Sequence, residues 1–116
     1  MSTFIMLTRL SHEALKSPRN LETLGKAVTD RIRTECPDVN WVASYAVLGP
    51  ADYLDIFSAP SIESATKVAT IIRTFGHATT EVWGATPWGE FLGLVRDLPP
   101  AELRADLLVD RRAQTA

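Results

Sequence analysis

Cysteine and histidine are nearly missing from this chain. Its 116 residues include one cysteine, Cys36, and two histidines, His12 and His77. A single thiol closes no internal disulfide framework and supplies no thiol set for a structural zinc. The two histidines are far apart and form neither an HxH nor an HExxH spacing, so no metal site is expected. The 6 glycines are dispersed. They form neither GxGxxG nor a GxxxxGKS/T loop, and no GxSxG elbow is present, so no cofactor and no hydrolase triad are expected. Basic residues hold no majority: 12 Lys and Arg against 14 Asp and Glu leave a net charge of −2. That balance offers no footprint for nucleic acid and no polybasic patch for a membrane. No apolar run approaches the ~18 residues of a membrane span. Met1–Leu10, interrupted by Arg9 and His12, is too short for a secretory signal, so the expected location is cytoplasmic.

What is present is the composition of a globular domain, 46% hydrophobic and 22% charged. Thr3–Arg9 is short, apolar and rich in strand formers. Ser17-Pro18 then places an N-cap and a first-turn proline before Leu21, Leu24, Val28 and Ile32 at helical spacing. Pro37 ends that helix near Cys36. Asn40–Leu48 and Tyr53–Phe57 read as strands joined by the turn signal Gly49-Pro50-Ala51-Asp52, hence as an antiparallel hairpin. Ser61 caps a second helix with Ile62, Ala65, Ala69 and Ile72 as its buried stripe and Val68 and Phe75 beside it. Gly76 stands at the left-handed C-cap position, and Ala78–Ala85 forms a fourth strand. Trp88, Phe91, Leu92 and Val95 then recur at helical spacing, and Glu102–Arg112 forms a further amphipathic segment.

The order strand, helix, strand, strand, helix, strand is the split βαβ arrangement of α+β ferredoxin-like domains with a four-stranded antiparallel sheet. The ferredoxin-like domain is expected over residues 1–96, with 97–116 as a helical tail. Alternation puts Phe4, Met6 and Thr8 on one side of the first strand. Leu54, Ile56 and Val82 are the expected helix-facing core. The opposite face would then carry Trp41, Tyr45, Tyr53, Phe57 and Trp83, an apolar patch too large for a monomer to leave exposed. A homodimer with two sheets packed face to face is the expected remedy.

Leu48-Gly49-Pro50-Ala51-Asp52, followed by an apolar strand and Ala59-Pro60, resembles the signature of the GYD family. The stretch Arg73 to Trp83 resembles one branch of it, and the likeness spans Thr3 to Leu94. The resemblance implies a dimeric α/β barrel and no established activity. It departs at Ala51, where the family motif has tyrosine. Gly49 and Asp52 match, and the expected role of Asp52 is to bond backbone amides within the hairpin turn.

Several side chains suit chemistry. Asp55 and Glu81 are expected together on the aromatic face, where a carboxylate in an apolar cleft can move a proton, with Arg9 steadying a developing anion. Tyr45, Tyr53, Phe57 and Trp83 would shape a pocket for a flat organic molecule, with His12 at its edge. The alternative use of the charges is in ion pairs at the barrel mouth, and of the rings in a dimer core. The favoured expectation is a homodimer binding a small aromatic or carbonyl-bearing molecule, with proton-transfer chemistry. A non-catalytic sensing or interaction dimer is the alternative, and a haem-binding barrel a lesser one. Cys36, at a helix C-terminus whose partial charge is negative, reads as unreactive.

Overall fold

The computed structural model describes residues 1–99, so the expected helix at Glu102–Arg112 lies outside the described residues. The elements run β1 (Ser2–Leu10), α1 (His12–Leu15), α2 (Pro18–Glu35), β2 (Asn40–Ala46), β3 (Tyr53–Ala59), α3 (Ile62–Thr74), β4 (Ala78–Ala85) and α4 (Trp88–Arg96). The strands form one antiparallel sheet in the order β2-β3-β1-β4, open at the edges β2 and β4. The unexpected element is α1, a single turn whose N-cap Ser11 accepts from the Ala14 N–H at 3.2 Å. Two compact units result, Met1–Ala85 and a second that begins at Thr86.

Local chemistry accounts for the boundaries in the first unit. Pro18 opens α2 at its first turn, although Ser17 makes no side-chain cap bond there. Ser61 caps α3 by accepting from the Ser64 N–H at 3.2 Å. Gly76 closes α3 in the left-handed region at φ 78°, where a Cβ would be strained.

One hydrophobic core joins the sheet to both long helices. Phe4, Met6, Phe57 and Ala59 meet Ile32 of α2 and Ala65, Val68, Ile71 and Ile72 of α3. The helices therefore cover the same face of the sheet. Burying side chains of this size contributes about 1.5–3 kcal/mol each. In the second unit α4 has no buried residue, and its Trp88 and Phe91 rings lie 5.2 Å apart.

Two expectations about faces are corrected. On β3 it is Phe57 that is fully buried under the helices, with Asp55 and Tyr53 on its side; Leu54 and Ile56 face the open side. Both sides of β3 are apolar, so its alternation gives no sense of direction. On β2, Trp41 pairs with Phe57 and Ala43 with Ile56, a β-bulge that makes Val42 the extra residue. The bulge turns Trp41 to the helix side while Tyr45, opposite Leu54, stays on the open side. The expected patch of Trp41, Tyr45, Tyr53, Phe57 and Trp83 is thus divided between two faces. A smaller correction concerns Ile62, expected in the buried stripe of α3. It is exposed in the first turn, and Val68 takes the central place.

Candidate functional site

The face-to-core geometry leaves a cavity of about 310 Å³ between α2 and the β2–β3 half of the sheet. Its helical wall consists of two rows spaced by four residues, Leu24, Val28, Ile32 and Cys36, and Leu21, Gly25, Thr29 and Arg33. Gly25, Thr29 and Arg33 are exposed and form the rim, whereas Ile32 and Cys36 are buried. The sheet wall carries Thr8, Trp41, Ser44, Tyr53 and Asp55, and the region around Phe75, His77 and Ala78 completes it.

The polar groups converge on this sheet wall. Asp55 pairs in register with Ser44 of β2 and Met6 of β1. Burial pushes its carboxyl above the usual range, because the apolar surroundings disfavour the charged form; hydrogen bonding from Ser44 and Trp41 works against that rise. The Trp41 indole donates to Ser44 Oγ at 2.7 Å, and its ring stacks on Phe57 at 5.4 Å with an interplanar angle of 9°. Phe57 in turn stacks on Phe4 at 5.6 Å. Thr8 is 5% exposed, and its hydroxyl has no hydrogen-bond partner among the described residues. Burial also raises the Cys36 thiol, with Lys67 opposing and Asp38 and Glu35 reinforcing the shift. A thiol so placed is a poor nucleophile.

A second hollow of about 420 Å³ lies between α3 and β4. It is larger, but its polar groups are already engaged. Arg73 donates to Thr80 Oγ1 at 3.0 Å and to the Thr80 carbonyl at 2.7 Å; Thr66 and Thr70 donate to carbonyls one turn back. Of these two hollows, the pocket under α2 carries a buried hydroxyl, that of Thr8, with no partner among the described residues.

The other sequence candidates fall elsewhere. Glu81 pairs with Leu7 and Trp83 with Ile5, both on the open face, so Glu81 and Asp55 lie on opposite sides of the sheet and cannot serve one reaction centre. Tyr45 and Trp83 are 58% and 48% exposed on that open face. Arg9 is exposed, and its Nε donates to the Pro50 carbonyl at 2.7 Å, which engages it with the hairpin loop. His12 is exposed on α1. Phe57 is core beneath Trp41 rather than pocket lining. Among the described residues no group of three His, Cys, Asp or Glu side chains could hold a metal ion, and no helix is long and apolar enough to cross a membrane.

The Gly49–Asp52 segment acts through β1. The Asp52 carboxylate accepts from the Leu10 N–H at 2.8 Å, the Asp52 N–H donates to the Thr8 carbonyl at 2.9 Å, and the Val47 N–H donates to the Asp52 carbonyl at 3.0 Å. The carboxylate thus reaches the amide of a neighbouring strand instead of an amide of its own turn. Gly49, at φ 155°, supplies a backbone angle that side-chain-bearing residues rarely adopt. The segment fixes the end of β1 that carries Thr8, so the motif positions the pocket from outside it.

Sequence reasoning missed Thr8, Ser44, Gly25 and the rim of α2 as lining. The available signal was the α2 stripe, since residues 21, 24, 28 and 32 mark the surface that faces the sheet. Placing Ser44 on the same face as Trp41 needed knowledge of the bulge.

A four-stranded antiparallel sheet with two crossover helices on one face defines an α+β protein of ferredoxin-like type. The GYD domain model matches residues 4–95, and the chain belongs to the GYD domain family. Among solved structures it is similar to the crystal structure of TTHA0845 from Thermus thermophilus. The TM-score is 0.53 at 24% identity, covering 75% of this chain and 95% of that one. That likeness concerns the fold. No curated protein matches the chain.

Proposed function

We propose that this protein is a homodimer that binds a small organic molecule between α2 and the sheet, with Asp55 as the group that exchanges a proton with it. The observation that carries the reading is the apolar pocket of about 310 Å³ with a carboxyl on its wall. Its size is at the lower end of small-molecule sites, and its few convergent polar groups in an apolar lining are what orients such ligands. A carboxylate raised by apolar surroundings is a stronger base than one in water. In the proposed step a ligand O–H or activated C–H bond breaks, the proton passes to an Asp55 oxygen, and the electron pair stays on the ligand. Glu81 and Arg9 take no part.

The second copy covers the open face. Ile5, Leu7, Leu54 and Ile56 form its centre, with Tyr45 and Trp83 at the sides. A contiguous apolar surface of this kind is what a partner sheet buries. The dimer proposed from the sequence is retained with different residues at its interface.

Native mass spectrometry of freshly purified protein tests both parts. The expected result is a dimer carrying extra small-molecule mass. Gly25→Leu should keep the dimer and lose the extra mass, because nothing stands within 4 Å of a Cβ at Gly25 and the new side chain enters the pocket. Ile56→Lys should give monomers, since it places a charge at the centre of the interface. A wild-type monomer defeats the dimer; bound mass that survives Gly25→Leu defeats the pocket.

A further inference from the structure

The polar wall of the pocket selects among ligands, and this step rests on reading the pocket as a ligand site. In the antiparallel register of β1 and β3, Met6 stands opposite Asp55 and Thr8 opposite Tyr53. Thr8 and Asp55 are therefore diagonal neighbours on one face, a relation that separates such positions by about 7–8 Å. That span suits a six-membered ring with one substituent. Ser44 Oγ already accepts from the Trp41 indole. Its own hydroxyl bonds the Asp55 carboxyl, which has acceptor positions left over for a ligand. The Thr8 hydroxyl, buried and without a partner among the described residues, adds a second group that gains from a polar atom on the ligand. Beside them the indole of Trp41 gives the wall a flat aromatic member, held parallel to Phe57.

We propose that the pocket takes a neutral, planar ring bearing a hydroxyl group, a phenol in its simplest form, with that hydroxyl bonded to Asp55 and the ring against the Trp41 wall. A hydroxyl both donates and accepts, so it satisfies a carboxyl in either protonation state. A ring carboxylate of similar size brings a second negative charge to Asp55 and is disfavoured. A purely apolar ring leaves the polar wall unmatched. Sites built to hydrogen-bond a hydroxyl discriminate strongly against analogues that lack it.

Amide-detected NMR titrations with phenol, benzoate and toluene at neutral pH test this. Phenol should move the Thr8, Ser44 and Ile32 amides and bind about tenfold more tightly than either other probe, a difference of about 1.4 kcal/mol. Asp55→Leu should remove the preference, so that toluene matches phenol. Thr8→Val, which keeps the shape and removes only the hydroxyl, should reduce the preference and serves as the second variant if Asp55→Leu does not fold. If toluene or benzoate binds the wild-type pocket as tightly as phenol, the hydroxyl inference is wrong and the pocket reading stands. If no probe moves those amides, the pocket reading falls and takes this inference with it.

Discussion

The two long helices lie over the same sheet and do different work. In 13 residues α3 buries Ala65, Val68, Ala69, Ile71 and Ile72; in 18 residues α2 buries only Ile32. Small residues at Ala65 and Ala69 let α3 settle against β3 and β4, whereas α2 meets α1 and α3 and stands off the sheet. Both helices carry an apolar stripe, so amphipathicity alone does not tell a packed helix from one that roofs a cavity. The difference lies beneath them. Under α3 the sheet presents Phe4, Met6 and Phe57, which fill the space; under α2 it presents Thr8, Ser44 and Asp55, which do not. Cohesion is concentrated in one half of the layer and the open pocket in the other.

The largest expected effect breaks the packed half. Phe57 is fully buried and stacked between Phe4 and Trp41. Phe57→Ala should cost about 3–5 kcal/mol in urea unfolding, because its removal leaves a cavity in a close-packed centre. A loss under about 1 kcal/mol would mean that the core does not depend on that stack. A matched pair then compares the halves with identical chemistry. Val68 is fully buried on α3 and Val28 is half-buried at the pocket. Val68→Ala should cost about 2 kcal/mol and Val28→Ala under about 1 kcal/mol, since the latter removes methyl groups that already border open space. Equal losses would show α2 to be packed as tightly as α3 in solution.

The same contrast explains how much could be read in advance. Element order, the hairpin at Gly49–Asp52, the α2 stripe and the left-handed Gly76 follow from local chemistry, and local chemistry is written in adjacent residues. The side to which a strand residue points is not local when both faces of the sheet are apolar. On β3, Leu54 and Ile56 look like core beside Asp55, and only the packing of Phe57 beneath Val68 and Ile72 decides otherwise. On β2 a one-residue bulge reverses the side of Trp41 relative to Tyr45, and no neighbouring glycine or proline announces it. The candidate site suffered most from these two reversals, because they separated Asp55 and Trp41 from Glu81 and Tyr45 and joined them to Thr8 and Ser44. The resemblance to the GYD family located Asp52 correctly, but its carboxylate works on the Leu10 amide of β1, a contact that only the folded sheet creates.

The smallest expected effect sharpens the comparison by pH. Burial in the α2 half raises the folded-state carboxyl of Asp55 above its unfolded value of ~3.9. The native state therefore holds that proton more tightly than the unfolded chain. Where the unfolded chain has lost the proton and the native one keeps it, raising the pH favours unfolding. The stability associated with the protonated carboxyl is complete below the unfolded value and is lost as pH rises through the folded one. Asp55→Asn removes this dependence. Wild type and variant should be nearly equal in acid, and the variant should gain on the wild type as pH rises, levelling off once Asp55 is ionised in both states. Urea midpoints measured across that range give the curve directly. The effect is the smallest of the series because the side chain is only half-buried and hydrogen bonding from Ser44 and Trp41 offsets part of the burial. If Asp55→Asn instead loses stability relative to wild type as pH rises, the carboxylate is held by a favourable partner, and the half of the sheet beneath α2 is as well matched internally as the half beneath α3.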